Sequence, residues 1–203
     1  YLATHPGIDA VSFTGSTAVG SRLVKACGKL GREISCEMGG KNPILVMDDA
    51  RLDLAVEGAL WGGFGTTGQR CTAASRLIVD AGVYDEFLKK FITAAGRLKL
   101  GNGCDAGVDV GPLVSEAQME KVLGYIDTGV SEGARIALGG KRRAEGRLGL
   151  GWFIEPTVFT NVAPEMRIAQ EEIFGPVVAV IKANGLDDAI KIANGVKYGL
   201  SSS

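Results

Sequence analysis

Residues 44–61 read ILVMDDARLDLAVEGALW, and residues 75–98 read SRLIVDAGVYDEFLKKFITAAGRL. Each stretch begins with a short segment rich in aliphatic residues, ILVM or SRLIV, which predicts a strand. Each then places apolar residues at helical spacing, over residues 52–61 and 84–98, which predicts a helix. Strands that alternate with helices of about ten or more residues are typical of βαβ units. The two stretches therefore predict a mostly parallel sheet with helices on both faces.

The same alternation continues in both directions from these stretches. On the N-terminal side, residues 9–13 and 33–37 predict strands on either side of a helix over residues 18–30. On the C-terminal side the pattern predicts helix 116–132, strand 135–138, a loop or hairpin at 139–151, strand 154–160, a short helical piece at 166–170, strand 177–182 and helix 187–194. The whole chain is therefore predicted to be α/β.

The composition excludes several classes of protein. The chain has 203 residues, of which 30 are glycine and 6 are proline, and 46% are hydrophobic. So much glycine with so little proline indicates turns and close backbone approaches in a folded domain, not collagen or a low-complexity linker. The net charge of −1 provides no basic surplus for a phosphate backbone, so no nucleic-acid partner is expected.

Neither a membrane span nor an export signal is evident. No apolar run approaches the roughly 18 residues that a membrane span requires, and the first residues, YLATHP, do not have the pattern of a leader peptide. We therefore expect a cytoplasmic protein without a membrane partner. Because the first residues run straight into a strand and the last residues, YGLSSS, form no closing element, we also expect a piece of a longer protein.

The cysteines are the first candidates for chemistry. Cys27, Cys36, Cys71 and Cys104 contain no Cys-x-x-Cys pair, and the chain has a single histidine, so neither a metal site nor a disulfide framework is expected. Cys71 follows the small residues GTTG, which would let a substrate approach, and the adjacent arginine would favour a thiolate. The alternative is that Cys71 is a small buried hydrophobic residue.

A cysteine nucleophile needs a partner that moves protons. The only histidine, His5, stands beside Pro6 near the start of the chain and is interpreted as a surface or loop residue. Glu37 is the better candidate, because it ends a short apolar strand and the following MGG lets the chain turn sharply around it. Partly apolar surroundings would suit this carboxylate to act as a general base on water. An ordinary strand-end glutamate is the alternative.

A third element is Gly15-Ser16-Thr17, at the junction of a predicted strand and a predicted helix. The N–H groups and the helix dipole at such a junction suit a phosphate group. The segment lacks the full Gly-x-Gly-x-x-Gly pattern, so a plain helix N-cap is the alternative.

Five sequence blocks in register point to one family. They are FTGST at 13–17, EMGGKNP at 37–43, GQRC at 68–71, EPT at 155–157 and QEEIFGPV at 170–177. Together they resemble the NAD(P)-dependent aldehyde dehydrogenase superfamily in order and spacing, and the resemblance covers essentially the whole chain. The family usually has leucine on both sides of the glutamate, where this chain has Cys36 and Met38, which are also soft and apolar.

The resemblance implies the chemistry of two residues. Cys71 matches the nucleophile, and Glu37 matches the general base for deacylation. The implied reaction is oxidation of a small aldehyde to a carboxylic acid, through a cysteine thiohemiacetal and a thioester that Glu37-activated water hydrolyses. The backbone N–H of Cys71 would be one oxyanion donor, and no metal is implied.

The resemblance also implies a cofactor, NAD or NADP. Gly15 and Ser16 match the turn beside the cofactor pyrophosphate. Glu172 matches the carboxylate that binds the nicotinamide ribose hydroxyls, and Phe174 matches the aromatic residue beside that ribose and the nicotinamide.

The domain organisation follows from the same resemblance. Residues 1–38 are expected to be the C-terminal remnant of a Rossmann-like dinucleotide-binding domain, and residues 39–203 a catalytic domain truncated at its C-terminus. The isolated chain is expected to bind NAD poorly and to have negligible activity, whereas the longer protein is expected to be a homo-oligomer, a dimer or tetramer.

Three alternatives stay open at this level. The thioester could pass to coenzyme A, as in a CoA-acylating semialdehyde dehydrogenase, or the chain could be a non-catalytic relative with a structural or binding role. Arg70 could pair with a distal carboxylate of the substrate, or it could lie in a structural contact away from the substrate.

Overall fold

The computed structural model describes all 203 residues, which divide into two units, Tyr1–Gly39 and Gly40–Ser203. None of its helices has both the length and the apolar composition needed to cross a membrane.

The first unit is a strand–helix–strand motif. Strand β1 (Ala10–Thr14) leads into helix α1 (Thr17–Gly28), and the chain returns to β2 (Glu33–Glu37), which pairs with β1 in parallel. Helix α1 has Ser16 as its N-cap, since the Ser16 hydroxyl accepts a hydrogen bond from the Val19 N–H at 3.4 Å. The motif is a small parallel βαβ unit, as the sequence predicts.

The second unit has seven strands: β3 (Asn42–Val46), β4 (Ala74–Asp80), β5 (Arg135–Leu138), β6 (Arg142–Arg143), β7 (Phe153–Ile154), β8 (Thr157–Thr160) and β9 (Val177–Ala183). Five of them form one sheet in the order β3-β4-β9-β8-β5. The first four of these pair in parallel, and β5 is antiparallel at one edge. Strands β6 and β7 form a separate antiparallel pair. The predicted α/β class with a mostly parallel sheet is confirmed.

Helices cover both faces of this sheet. They are α2 (Leu52–Phe64), α3 (Tyr84–Ala95), α4 (Glu116–Ser131), α5 (Arg167–Gln170) and α6 (Leu186–Asn194). Successive residues of β4 face opposite sides. Leu77 lies in one core with Phe87 of α3, and Ile78 lies in the other with Ile126 of α4. Burial of one such side chain contributes about 1.5–3 kcal/mol to folding. Many side chains are buried on each face of the sheet, so both helical layers are held to it by hydrophobic packing.

Several element boundaries differ from the sequence predictions, and three of these differences have a clear local cause. The strand predicted over 154–160 is interrupted between β7 and β8, because Pro156 has no N–H to donate to a strand ladder. Helix α3 ends before Gly96 and not at residue 98, since glycine is a poor helix former. Helix α2 continues beyond residue 61 through two glycines, because it packs closely on β9: a Cβ at Gly63 would lie 2.6 Å from Val178.

Candidate active site

The loop between α2 and β4 has an unusual backbone. Thr66, Thr67 and Gly68 follow one another with φ of 51°, 59° and 65°. A β-branched residue at positive φ is a genuine outlier and costs about 1–3 kcal/mol, so surrounding contacts must impose the conformation. The buried Thr67 hydroxyl donates to the carbonyl of Gly111 at 3.2 Å. A Cβ at Gly68 would overlap the carbonyl oxygen of Gly175, so glycine is required there.

Cys71 lies half-buried in a turn after this loop, immediately before β4. Its carbonyl oxygen accepts a hydrogen bond of 2.7 Å from the side-chain amide of Asn42, which also donates to the carbonyl of Ala73 at 3.1 Å. Asn42 is 3% exposed and begins β3. The backbone N–H of Cys71 donates to no other group of the chain. The hydrogen bonds from Asn42 to the carbonyls of Cys71 and Ala73 thus fix the turn. The N–H of Cys71 remains free to donate to another group.

The two residues before Cys71 anchor the loop elsewhere. The Gln69 side chain accepts from the N–H of Val114 at 3.0 Å and donates to the carbonyl of Pro112 at 3.3 Å. The Arg70 guanidinium donates to the carbonyl of Trp61 at 2.9 Å and lies over the Trp61 ring, 5.0 Å from its centroid. These contacts favour the structural alternative for Arg70 over a role in pairing with a substrate carboxylate.

Glu172 lies beside the segment that begins β3. Its half-buried carboxylate accepts a hydrogen bond of 3.3 Å from the N–H of Gly40. A narrow cavity of about 10 Å³, about the volume that one water needs, is lined in part by Gly40, Gly68, Arg70, Glu172 and Phe174. The loop that carries Cys71 and the segment that carries Glu172 and Phe174 therefore adjoin one another in the second unit.

The segment that carries Phe174 is held by helix α4. Phe174 has a φ of 60°, in the left-handed region that a bulky residue rarely adopts. The side-chain amide of Gln118 donates to the carbonyls of Ile173 and Phe174 at 3.0 and 2.9 Å. These bonds compensate for the unfavourable backbone and fix the direction in which the Phe174 ring leaves the chain.

Glu171, next to Glu172, is held by two other side chains. Arg167 donates to both of its carboxylate oxygens at 2.9 and 3.0 Å, and the Tyr125 hydroxyl donates at 2.7 Å. These bonds lower the pKa of Glu171 to about 2, with Arg167 as the larger cause. Burial, together with the bond to Glu171, raises the pKa of Tyr125 to about 12. Glu171 therefore forms a structural ion pair with Arg167. Of the two glutamates, only Glu172 accepts a hydrogen bond from Gly40.

The remaining predicted site residues, Glu37, Gly15 and Ser16, belong to the first unit. Glu37 ends β2 and is exposed, so the expectation of partly apolar surroundings is wrong: along β2 exposed and half-buried residues alternate, and Glu37 stands at an exposed position. The N–H of Gly15 donates to the carbonyl of Glu37 at 3.0 Å. Ser16 serves as the helix N-cap, while its predicted place beside a pyrophosphate stays a prediction.

Some residues of this region have roles that the sequence patterns did not single out. Gln118 stands on the predicted helix without any local signal for its contact with Phe174. Asn42 stands in the EMGGKNP block, but the sequence patterns assign it no role in holding the Cys71 turn. The local signal is the polar pair Lys41 and Asn42 directly before the apolar residues of β3. Buried polar side chains need hydrogen-bond partners, so such a pair indicates a contact with another part of the chain.

Comparison with known proteins identifies this architecture. The sequence model of the aldehyde dehydrogenase family matches residues 1–203. The chain is 45% identical over 202 residues to the alpha-ketoglutaric semialdehyde dehydrogenase of Bacillus subtilis (strain 168), covering 100% of this chain and 41% of that protein. It is 47% identical over 202 residues to the cytosolic aldehyde dehydrogenase 1 of Mus musculus, covering 99% of this chain and 40% of that protein.

The structural comparison agrees with the sequence comparison. The crystal structure of betaine aldehyde dehydrogenase from Staphylococcus aureus in complex with NAD+ superposes with a TM-score of 0.96 at 43% identity, covering 98% of this chain and 40% of that one. The chain thus spans about two fifths of the length of the relatives it matches. The resemblance read from the five sequence blocks is confirmed, and the chain belongs to the aldehyde dehydrogenase family.

Proposed function

We propose that this chain carries the nucleophile and the general base of an NAD(P)-dependent aldehyde dehydrogenase, which oxidises a small aldehyde to a carboxylic acid. The observation that carries the proposal is the turn at Cys71. Three consecutive positive-φ residues precede it, Asn42 holds its carbonyl, and its own N–H has no partner in the chain. Strained, rigidly held backbone with a free N–H beside a thiol suits covalent catalysis with an oxyanion donor.

The residues would act in a fixed order. The Cys71 thiolate attacks the aldehyde carbon, and the carbonyl oxygen takes the negative charge and accepts a hydrogen bond from the Cys71 N–H. Loss of a hydride from the same carbon leaves a thioester on Cys71. Glu37 then removes a proton from a water molecule, whose oxygen attacks the thioester carbon. The carbon–sulfur bond breaks, the thiolate is restored, and the carboxylic acid leaves.

The residues present fit a nicotinamide dinucleotide. Glu172 offers a half-buried carboxylate already oriented by the Gly40 N–H, and a carboxylate accepts hydrogen bonds from ribose hydroxyls. Phe174 offers an aromatic ring on a backbone that Gln118 fixes. Gly15 and Ser16 lie at the start of α1, where the helix dipole favours a phosphate. When bound, NAD or NADP supplies the hydride acceptor.

Substrate selection is proposed not to depend on Arg70. Its guanidinium is held by the Trp61 carbonyl and ring, so it would have to leave these contacts to reach a substrate carboxylate. The relatives named above act on different aldehydes by name, and the proposal is therefore limited to a small aldehyde. Cytoplasmic location, homo-oligomeric assembly and the assignment of residues 1–38 and 39–203 to a cofactor and a catalytic domain stay predictions.

Single-turnover kinetics on the protein at its natural length test the proposal. We expect Cys71→Ser to form no NADH, and Glu37→Gln to form a burst of about one NADH per site and then stop, because the thioester is no longer hydrolysed. Continued turnover of Glu37→Gln only when coenzyme A is added would indicate the CoA-acylating alternative. Absence of NADH from the wild-type protein with a panel of aldehydes would indicate the non-catalytic alternative.

A further inference from the structure

Three asparagines of the second unit directly precede a glycine. They are Asn102, Asn184 and Asn194, and all three are exposed. Glycine has no side chain to crowd its own backbone nitrogen, so this nitrogen can approach the side-chain carbonyl carbon of the preceding asparagine. A bond between these two atoms is the first step of deamidation, the loss of the side-chain amide. Since all three asparagines are exposed and precede glycine, a difference among them must come from the fold.

The backbone nitrogen of the glycine is hydrogen-bonded at two of the three positions. The N–H of Gly185 donates to a carboxylate oxygen of Asp80 at 3.0 Å. The N–H of Gly195 donates to the carbonyl of Ile192 at 3.2 Å, at the end of helix α6. Each nitrogen must give up this bond before it can attack a carbon atom, and the negative charge of Asp80 also opposes loss of the proton from Gly185. Both positions are therefore protected in the folded chain.

The third position, Asn102-Gly103, lacks this protection. The N–H of Gly103 donates to no other group of the chain. The N–H of Cys104 donates to the side-chain oxygen of Asn102 at 3.0 Å. This bond holds the side-chain carbonyl beside the backbone of the loop, and it stabilises negative charge that develops on the oxygen. The attacking nitrogen is thus free, and the carbonyl group that it attacks is polarised.

We propose that Asn102 is a site of spontaneous deamidation and that the fold protects Asn184 and Asn194. The Gly103 nitrogen gives its proton to hydroxide and attacks the side-chain carbonyl carbon of Asn102, so that a carbon–nitrogen bond forms. The bond from this carbon to the side-chain nitrogen breaks, and ammonia leaves with a proton taken from water. Water then opens the cyclic imide at either carbonyl, which leaves aspartate or isoaspartate at position 102. One water is consumed and one ammonia is released, with no oxidation or reduction.

The loop around Asn102 can accept this change while the fold persists. Its ends are held together, since the N–H of Gly101 donates to the carbonyl of Val110 at 3.1 Å. Nothing lies within 4 Å of a Cβ built at Gly103, so the loop is not packed against other parts of the chain at this point. The new carboxylate makes the net charge of −1 more negative by one. Isoaspartate also lengthens the backbone by one atom.

Peptide mass spectrometry on the protein at its natural length tests this proposal. After incubation at mildly alkaline pH, Asn102 should be deamidated about tenfold faster than Asn184 and Asn194, because the glycine nitrogens after those two residues must first break a native hydrogen bond. In urea that unfolds the protein, the three rates should become similar, since these hydrogen bonds are lost. Equal rates in the folded protein would overturn the proposal. The same tenfold preference in urea would also overturn it, because the sequence and not the fold would then select Asn102.

Two variants test the role of the attacking nitrogen. Gly103→Ala should slow the deamidation of Asn102, because the methyl group crowds this nitrogen, and the open space around Gly103 accommodates the methyl group. Asp80→Ala removes the acceptor of the Gly185 N–H and should speed the deamidation of Asn184 without changing the rate at Asn102. Unchanged rates in both variants would contradict the proposal. The wild-type rates are decisive even if Asp80→Ala does not fold, and none of these readouts depends on dehydrogenase activity.

Discussion

The side-chain amide of Asn42 donates a 2.7 Å hydrogen bond to the main-chain carbonyl of Cys71. The same amide group donates to Ala73, and its oxygen accepts from the N–H of Ser201. One buried side chain thus ties the start of β3 to the turn that precedes β4. Because backbone groups in a turn have no ladder to fix them, this amide determines where the Cys71 backbone sits.

Replacement of Asn42 by alanine should destabilise the protein and disturb the turn. Two carbonyls lose their donor, and a buried unsatisfied polar group costs about 1–3 kcal/mol. Urea unfolding should therefore give a lower free energy of unfolding for Asn42→Ala by about this amount. Asn184→Ala is the matched control, because Asn184 is exposed and its side chain makes no hydrogen bond. Equal stability of the two variants would contradict the anchoring role of Asn42.

Replacement of Gly68 by alanine should be more damaging. Gly68 has a φ of 65°, and a Cβ there would overlap the carbonyl oxygen of Gly175, so both backbone strain and a steric clash result. We expect a loss of more than about 1–3 kcal/mol in the free energy of unfolding, measured in urea. Gly58→Ala in helix α2 should instead gain about 0.5–1 kcal/mol, because nothing lies within 4 Å of the new methyl group. Equal effects at the two glycines would refute this reasoning.

The sequence was sufficient for the α/β class and for the strands and helices with strong periodicity, because burial on two faces leaves a clear pattern in residues 44–61 and 75–98. It could not indicate the positive φ of Thr66 and Thr67, because threonine has no preference for that conformation and tertiary contacts impose it. It also could not indicate the bond from Gln118 to Phe174, which joins residues 56 positions apart. Contacts between distant loops and helices arise from packing, which local patterns do not encode.

Stability should fall in acid through Glu171. Its pKa is lowered to about 2 by Arg167 and Tyr125, below the value of about 4.3 for an unfolded glutamate. A depressed carboxyl pKa contributes stability that is fully present above the unfolded pKa and is lost as the pH falls toward the folded value. The urea midpoint of the wild type should therefore fall between about pH 5 and pH 2. Glu171→Gln should reduce this dependence, and the exposed control Glu120→Gln should leave it unchanged.

The thiols should differ in reactivity in an order that exposure does not predict. Cys27 is fully buried, Cys104 is exposed, and Cys71 is half-buried. Exposure alone would make Cys104 react fastest with iodoacetamide. As the proposed nucleophile, Cys71 should nevertheless react faster than Cys104. Mass spectrometry of alkylated peptides at short times measures this order for the protein at its natural length. Labelling of Cys104 ahead of Cys71 would count against a primed nucleophile.

The isolated 203-residue chain should have negligible dehydrogenase activity. It spans about two fifths of the length of its relatives. Within it, the N–H of Cys71 is the one oxyanion donor assigned, and an oxyanion hole that lacks one of its donors loses about 10²–10³ in kcat. We therefore expect NADH formation from a simple aldehyde to equal that of Cys71→Ser, once circular dichroism shows that both chains are folded. Turnover of the isolated wild-type chain at roughly 1–10³ s⁻¹, the usual range for enzymes, would show that these residues suffice for catalysis.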